Sequence, residues 1–258
     1  MKLYTYYTPS HQILKDEWFV PTLQDDYELC LQKYTQDCPS GNYKEEGWRK
    51  AMLRKSDLII QAIKDNWNEI FVYSDIDIQF FRSMKTEVAK LMQGKDLLFQ
   101  RDSPGGSLCA GFFICRANHK TLKLWCDIQN ALTKNDDKNK DDQDILNDLL
   151  LHRADYFSDF PIKLKLRLKR FFHQKNGSFL HSLTGLSNPH RITWAYLPIE
   201  FFGGGTLTGK HWLPGMSLEV PANIVLHHAN WTTGVPNKIA QLKFVKRIVN
   251  AHPEFSSS

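Results

Sequence analysis

The first candidates for chemistry are two aspartates, Asp75 and Asp77, which follow the apolar run 70–73. In an extended chain, residues i and i+2 project to the same side, about 7 Å apart. Open parallel sheets bind ligands at the carboxyl ends of their strands, and hard cations such as Mg²⁺ or Mn²⁺ prefer oxygen ligands. The pair therefore predicts a divalent-cation site able to carry a diphosphate. The alternative is a helix-cap or turn aspartate beside a solvated one.

A second set of such residues lies near the C-terminus, in the order His228, Gly234 and Lys238. A histidine that leaves a strand can bind a metal ion, and a glycine lets the backbone approach a ligand closely. A lysine at the start of a helix adds charge where phosphate groups bind. Together the three residues could hold a metal diphosphate. Each could instead be an ordinary core or surface residue, and the neighbouring His227 competes for the role of ligand.

The elements that must position these residues alternate between short apolar runs and helical spacings, which predicts α/β architecture. The helices show one apolar face each, with apolar residues three or four positions apart. The predicted strands are 4–7, 70–73, 97–99, 111–115 and 224–226, and the predicted helices cover Glu45 to Trp67, Glu87 to Gln93, Leu122 to Leu132, Ile145 to Leu150, and a last helix opened by Pro236.

Two further segments are informative. The run 135–140 has no apolar residue, so it predicts a surface loop that could gate a ligand or be inert. Residues 163–169 alternate between lysine or arginine and leucine, which predicts a strand with one basic face. That face could be a solvated edge protected by lysines, or it could make a weak contact with an anionic membrane surface or a phosphorylated acceptor.

The composition limits the classes of protein to which the chain could belong. The 258 residues are 42% hydrophobic, enough for one sizeable core, and we expect a single domain. A formal charge of only +5, spread along the chain, argues against nucleic-acid binding. The five cysteines include no Cys-x-x-Cys pair, which favours a reducing compartment over a disulfide framework. With no signal peptide or transmembrane pattern, the sequence predicts a cytoplasmic protein.

At this point a resemblance becomes informative. The chain resembles the nucleotide-diphospho-sugar transferase family of GT-A-fold glycosyltransferases. The segments that carry the resemblance fall in the family's order and span most of the chain: Tyr73-Ser74-Asp75-Ile76-Asp77, Ala110-Gly111-Phe112-Phe113, Asp142-Gln143-Asp144-Ile145-Leu146-Asn147, Leu197-Pro198, and His228-Ala229-Asn230 with Gly234 and Lys238. The fold implied is GT-A-like, or Rossmann-like: a mixed, mostly parallel central sheet flanked by helices. Residues 1–115 would be mainly the nucleotide-binding half, and 116–258 mainly the acceptor and metal-completing half.

The resemblance also implies roles for individual residues. Asp75 and Asp77 would be the Asp-x-Asp motif, and His228, in the His-x-Asn position, would complete a site for Mn²⁺ or Mg²⁺. Gly234 and Lys238 would contact the diphosphate of the donor. Asp142 and Gln143 would face the donor sugar as the catalytic residues.

The nucleotide side of the site is implied in the same way. Tyr6 and Thr8 end the first strand, where the family's nucleoside pocket begins, although Tyr6 could be an ordinary strand aromatic. A basic residue from the helix before the Asp-x-Asp strand approaches the nucleotide in similar enzymes. Here that residue is Lys55 or Arg54, and either could instead be a solvated helix charge.

The chain departs from the family at Cys109-Ala110-Gly111, where related enzymes often carry Asn-x-Gly. A sugar contact made by that asparagine is absent, which leaves the sugar's identity open. The run 203–205 of three glycines could be a flexible acceptor-side loop or a simple turn.

The implied activity is metal-dependent transfer of a sugar, with retention, from a nucleotide-diphosphate donor such as a UDP-sugar. The acceptor would be a glycan or another hydroxyl compound. The alternative is a non-catalytic protein that binds sugar nucleotides or glycans on the same scaffold.

Overall fold

The computed structural model describes residues 1–39, 45–134, 140–151, 188 and 190–252, and all structural statements below concern this part of the chain. The nine strands within it are β1 Lys2–Tyr7, β2 Glu28–Lys33, β3 Ile70–Ser74, β4 Ile78–Phe80, β5 Leu97–Arg101, β6 Leu108–Arg116, β7 Trp194–Tyr196, β8 Phe201–Gly203 and β9 Leu226–His228. The longer helices are α1 Trp48–Asp65, α2 Lys85–Leu91, α3 His119–Lys134, α4 Asp142–Leu151 and α5 Val235–Ala251. Four short helical turns join β1 to β2, namely Pro9–His11, Gln12–Leu14, Lys15–Phe19 and Val20–Thr22.

The central sheet has six strands in the order β2-β1-β3-β6-β5-β7. Its pairs are parallel except for the two that involve β6, which is antiparallel to both β3 and β5. This is the mixed, mostly parallel sheet that the resemblance implied, and the α/β fold class predicted from the alternation of strands and helices is confirmed.

Both faces of the central sheet are buried, which explains why its middle strands are continuous apolar runs. In β3, Phe71 and Tyr73 face a core that includes residues of α1, α3 and α4. Val72, between them, faces a second core formed with the short helical turns, α2 and α5. The described residues therefore form one α/β domain around the sheet.

A second, smaller sheet has the order β4-β9-β8. The chain leaves β3 at Ser74, bends at residues 76–77, and enters β4, which pairs antiparallel with β9. Ile78 is opposite His228 in this pairing. The bend therefore takes the chain from the large sheet to the small one within three residues, and the two predicted ligand aspartates lie at that corner.

Several predicted bounds differ from the structure. The helix predicted from Glu45 to Trp67 is α1, which begins at Trp48 and ends at Asp65, so Trp67 lies beyond it and is 39% exposed. The strand predicted at 224–226 lies two residues later, at Leu226–His228. Strands β2, β4, β7 and β8 were not predicted, because they are short or carry many polar residues.

Two predicted segments lie outside the described residues. These are the basic strand at 163–169 and most of the loop at 135–140, of which only Lys140 is described. Among the described helices, none combines the length and the apolar composition that a membrane span requires.

Candidate functional site

A cavity of about 420 Å³ lies at the end of the central sheet where β1 and β3 terminate. Thr8 and Asp75, the residues that immediately follow these strands, are both in its wall. Every residue that the sequence placed in the site lines this one cavity: Tyr6, Thr8, Lys55, Asp75, Asp77, Asp142, Gln143, His228, Gly234 and Lys238. The sequence thus selected residues that the fold brings together from six separate parts of the chain.

The predicted metal ligands converge at the corner between the two sheets. Asp75, Asp77 and His228 each offer one ligand atom, and these atoms all lie within 4.8 Å of one another. Asp75 is still held by the large sheet, since its N–H donates to the carbonyl of Gly111 at 2.6 Å. The aspartates are therefore not two residues of one extended strand, as the spacing argument assumed; the bend brings Asp77 towards His228.

The chemistry of this donor set fits a hard divalent cation. The two carboxylates are the ligand type that Mn²⁺ and Mg²⁺ prefer in proteins, usually with further ligands from substrate phosphates. The imidazole adds one nitrogen ligand. Asp77 and His228 are buried, whereas about a third of the Asp75 side chain is exposed to the cavity. The exposed side is where a ligand could complete the coordination of an ion.

Asp77 has the strongest electrostatic interactions in the site. One of its oxygens, Oδ1, lies 3.3 Å from Nε2 of His228, and the other accepts a hydrogen bond from Nζ of Lys238. Burial alone would raise the pKa of Asp77, but Lys238 and then His228 outweigh burial and hold the pKa well below its usual range. Burial would likewise lower the pKa of His228, but the Asp77 carboxylate raises it to about 10. The protein thus neutralises Asp77 with its own cations.

The two adjacent histidines have different surroundings. His228 faces the aspartates, and its other ring nitrogen, Nδ1, lies 2.9 Å from Oε1 of Gln100. His227 points to the opposite side of β9, where its ring stacks on Phe202 with centroids 5.3 Å apart. Burial lowers the pKa of His227 to about 3. His228 is therefore the histidine that is positioned to bind an ion.

Gly111 leaves the space in which the side chains of Asp75 and His228 approach each other. A Cβ atom at this position would lie 2.5 Å from Oδ2 of Asp75 and 2.5 Å from Cε1 of His228. Carbon atoms do not approach other heavy atoms so closely, so any side chain here would push the carboxylate and the imidazole out of place. The glycine of the Ala110-Gly111 segment is thus required by packing within the site.

We expect Gly111→Ala to weaken Mn²⁺ binding by roughly tenfold or more, since overpacking of this kind costs about 1–3 kcal/mol. Isothermal titration of Mn²⁺ into both proteins measures this. Gly105→Ala is the matched control, because a Cβ there would meet only Oγ of Ser103 at 3.7 Å. Equal Mn²⁺ affinities for the two alanine variants would contradict the argument.

Lys55 connects α1 to two acidic groups of the cavity wall, Asp142 and Asp75. Its ammonium lies 2.9 Å from Oδ2 of Asp142 and 3.6 Å from Oδ1 of Asp75, and only 5% of the side chain is exposed. Burial raises the pKa of Asp142 to about 6, although the lysine acts in the opposite direction. Arg54, the other candidate on this helix, instead pairs with Asp37 at 2.8 Å. Lys55 is therefore the residue that contacts the Asp-x-Asp segment.

Gln143 docks the start of α4 on β6. Its Oε1 accepts a hydrogen bond from the N–H of Ala110 at 3.0 Å. One turn later, Asn147 bonds both the N–H and the carbonyl of Leu108, at 2.8 and 2.9 Å. Asp142 and Gln143 are thus held beside Gly111, although the Asp142 carboxylate is directed to Lys55.

The other end of the cavity is aromatic. The ring of Tyr6 lies 5.4 Å from that of Tyr34, which follows β2 directly. Oγ1 of Thr8 is within 3.3 Å of Nδ1 of His11. Tyr34 and His11 are wall residues that the sequence did not indicate, and the short apolar run Leu29-Cys30-Leu31 in β2 was the signal that could have located the former.

Gly203 ends β8, Gly204 and Gly205 begin the buried turn that follows, and none of the three lines the cavity. A Cβ on Gly205 would meet Cδ1 of Trp231 at 2.1 Å, and one on Gly204 would meet the carbonyl of Asn230 at 2.6 Å. Of the two interpretations left open by the sequence, the close-packed turn agrees with this geometry. Asn230 also donates to Oδ1 of Asp102 at 3.0 Å, which adds a buried carboxylate to the wall that the sequence did not indicate.

Three solved structures resemble the chain at low sequence identity. The galactosyltransferase LgtC in complex with donor and acceptor sugar analogs is 11% identical, over 100% of this chain and 97% of that one, with a TM-score of 0.44. A glycosyltransferase involved in the glycosylation of the major capsid of PBCV-1 is 12% identical over 78% and 83%, with a TM-score of 0.41. The glycosyltransferase GlyE of Streptococcus pneumoniae TIGR4 is 11% identical over 98% and 64%, with a TM-score of 0.44.

Comparisons of the sequence itself give two results. A search of curated proteins gives no match. The family model for nucleotide-diphospho-sugar transferases matches residues 19–242. This range covers most of the chain and includes every predicted site residue except Tyr6 and Thr8.

Proposed function

The chain belongs to the nucleotide-diphospho-sugar transferase family, and on that premise we propose that it is a metal-dependent, retaining glycosyltransferase with a UDP-sugar donor. The observation that carries the proposal is the convergence of Asp75, Asp77 and His228 within 4.8 Å in the wall of the cavity. Lys238 and Lys55 flank this cluster and supply positive charge.

Asp75, Asp77 and His228 would hold Mn²⁺ or Mg²⁺. The bound ion would neutralise the negative charge that develops on the diphosphate as the bond to the sugar breaks. Asp77 is buried and already paired with two protein cations, so its carboxylate is oriented before any ligand arrives. Little side-chain freedom of Asp77 therefore remains to be lost when an ion displaces these cations.

The protein's own residues would bind the rest of the donor. Tyr6 and Thr8 would contact the nucleoside at the aromatic end of the cavity. Gly234 immediately precedes α5 with φ +86, and Lys238 lies in the first turn of that helix. A helix N-terminus and an ammonium group both attract phosphate oxygens, so we assign the diphosphate to this end of α5.

The donor sugar would then lie beside Asp142 and Gln143. In the proposed reaction the bond from the anomeric carbon to the diphosphate oxygen breaks, and its electron pair leaves with the diphosphate. The acceptor hydroxyl attacks the same face of the cationic sugar, and its proton passes to the diphosphate. Asp142 and Gln143 would stabilise the positive charge on the sugar without forming a covalent bond to it.

The acceptor would be a glycan or another hydroxyl compound, bound mainly by residues of 116–258, while 1–115 would supply most nucleotide contacts. Residues from both ranges line the one cavity, so the division describes contributions to a shared site.

Thermal unfolding with a panel of nucleotide sugars tests the proposal. A true donor at about 100 times its Kd stabilises the folded protein by about 2.7 kcal/mol. We expect one UDP-sugar with Mn²⁺ to raise Tm, and the same sugar with EDTA to give a much smaller rise. No shift with any nucleotide sugar in the presence of Mn²⁺ would contradict the proposed donor class.

The second candidate function is a sugar-nucleotide or glycan-binding protein without turnover, since a scaffold does not determine its function. Release of UDP from the stabilising donor separates the two candidates. A transferase hydrolyses its donor slowly without acceptor and faster with a suitable one, whereas a binding protein shows the Tm shift and releases no UDP.

A further inference from the structure

We propose that Gln100 is a positioning residue that determines which nitrogen of His228 is presented to the ion. The inference rests on the proposed metal-dependent function, and it concerns a residue of β5 that no sequence pattern indicated. Gln100 is fully buried, and its side chain reaches from the large sheet to both β8 and β9 of the small sheet.

The orientation of the Gln100 amide follows from its two partners. Its Nε2 donates to the carbonyl oxygen of Phe201 at 3.1 Å. A carbonyl can only accept, so the amide nitrogen must face Phe201 and the amide oxygen must face His228. Oε1 lies 2.9 Å from Nδ1 of His228.

The orientation of the amide in turn determines which nitrogen of the His228 ring keeps its hydrogen. Oε1 can only accept, so Nδ1 of His228 carries a hydrogen and donates it. Nε2, which lies 3.3 Å from Oδ1 of Asp77, is then the ring nitrogen that exchanges its hydrogen for an ion. In the opposite tautomer two lone pairs would face each other in a buried site, and the hydrogen would lie between Nε2 and the ion.

Cys109 is the other polar neighbour of Nδ1, with its sulfur at 3.6 Å. A thiol is a weak hydrogen-bond acceptor, and the distance is longer than that to Gln100. The amide is therefore the group that holds the ring. A partner of this kind typically raises metal affinity 10- to 100-fold in other proteins.

Two substitutions at position 100 isolate the contact with His228. Gln100→Met keeps the length of the side chain and removes both hydrogen bonds. Gln100→Glu also removes the amide donor to Phe201 but keeps an oxygen that accepts from Nδ1, whether the carboxyl group is ionised or protonated. Only the methionine variant lacks a good acceptor for His228.

Mn²⁺ affinity without nucleotide, measured by electron paramagnetic resonance of the free ion, is the readout. We expect Gln100→Met to weaken Mn²⁺ binding 10- to 100-fold, and Gln100→Glu to bind within about threefold of the unmodified protein or more tightly. Thermal unfolding in EDTA checks that both variants remain folded without the amide donor to Phe201. If Gln100→Met does not fold, Gln100→Leu takes its place in the comparison.

A double-mutant cycle with His228→Ala separates positioning from a general structural effect. In the His228→Ala background, Gln100→Met should leave the residual Mn²⁺ affinity unchanged, since the ring it orients is absent. Equal losses of Mn²⁺ affinity for Gln100→Met and Gln100→Glu would overturn this inference and leave the proposed function standing. A loss of Mn²⁺ affinity that persists in the His228→Ala background would do the same. If the unmodified protein binds neither Mn²⁺ nor Mg²⁺, the proposed metal-dependent function falls and the inference with it.

Discussion

Replacing Asp77 with asparagine should abolish Mn²⁺-dependent binding of the nucleotide donor and reduce turnover by roughly a thousandfold, because a bound ion contributes several kcal/mol to the transition state. The asparagine keeps the shape of the side chain and removes its charge. In the structure that charge is buried between His228 and Lys238.

Calorimetry of UDP binding with Mn²⁺ and with EDTA measures the effect. Asp26→Asn is the matched control, because it removes the same charge from a side chain that is 91% exposed and pairs with Lys85 at the surface. Since breaking a buried ion pair can cost about 3–5 kcal/mol, circular dichroism of Asp77→Asn should be recorded alongside. A folded Asp77→Asn protein with unchanged Mn²⁺-dependent affinity would refute the assignment of this residue.

Replacing Lys238 with methionine should change two affinities in opposite directions. Without nucleotide, the Lys238 ammonium neutralises Asp77 and so competes with a divalent cation for the same carboxylate. Its removal should tighten Mn²⁺ binding by roughly tenfold, which is about 1.4 kcal/mol. With Mn²⁺ present, loss of a charged hydrogen bond worth about 1.5–3 kcal/mol should weaken UDP binding by roughly 10- to 100-fold.

Lys243→Met provides the comparison for this experiment, since Lys243 is an exposed lysine of the same helix, α5. It should leave both affinities close to those of the unmodified protein. Parallel titrations of Mn²⁺ alone and of UDP with Mn²⁺ give both numbers. If Mn²⁺ and UDP both bind more weakly to Lys238→Met, the lysine does not compete with the cation in the way we describe.

The parts of the fold that the sequence predicted are those with a long, regular apolar pattern. Helix α1 was predicted because Met52, Ile59 and Ile63 recur at helical spacing, and all three are buried. Strand β2 was missed because its edge position leaves Glu28, Gln32 and Lys33 partly or fully exposed, so its burial signal is weak. Element bounds differ by a few residues, because a pattern does not say where the backbone bends.

The candidate site was likewise predicted in part. Its charged residues could be selected from short motifs, and the structure brings all of them to one cavity. The bend between Asp75 and Asp77 could not be foreseen, since an apolar Ile76 between two aspartates is equally consistent with an extended strand. Gln100 could not be found either, because its partner His228 is far away in the chain and no local spacing relates them.

The corner between the two sheets has a consequence for folding. Asp75 directly follows a strand of the large sheet, and His228 ends a strand of the small one. An ion bound by both would be a removable cross-link between positions roughly 150 residues apart, and links that close long loops restrict the unfolded chain most. Because the five cysteines are all free thiols, such an ion would provide a long-range cross-link that no disulfide supplies, and the protein would lose this cross-link whenever the metal dissociates.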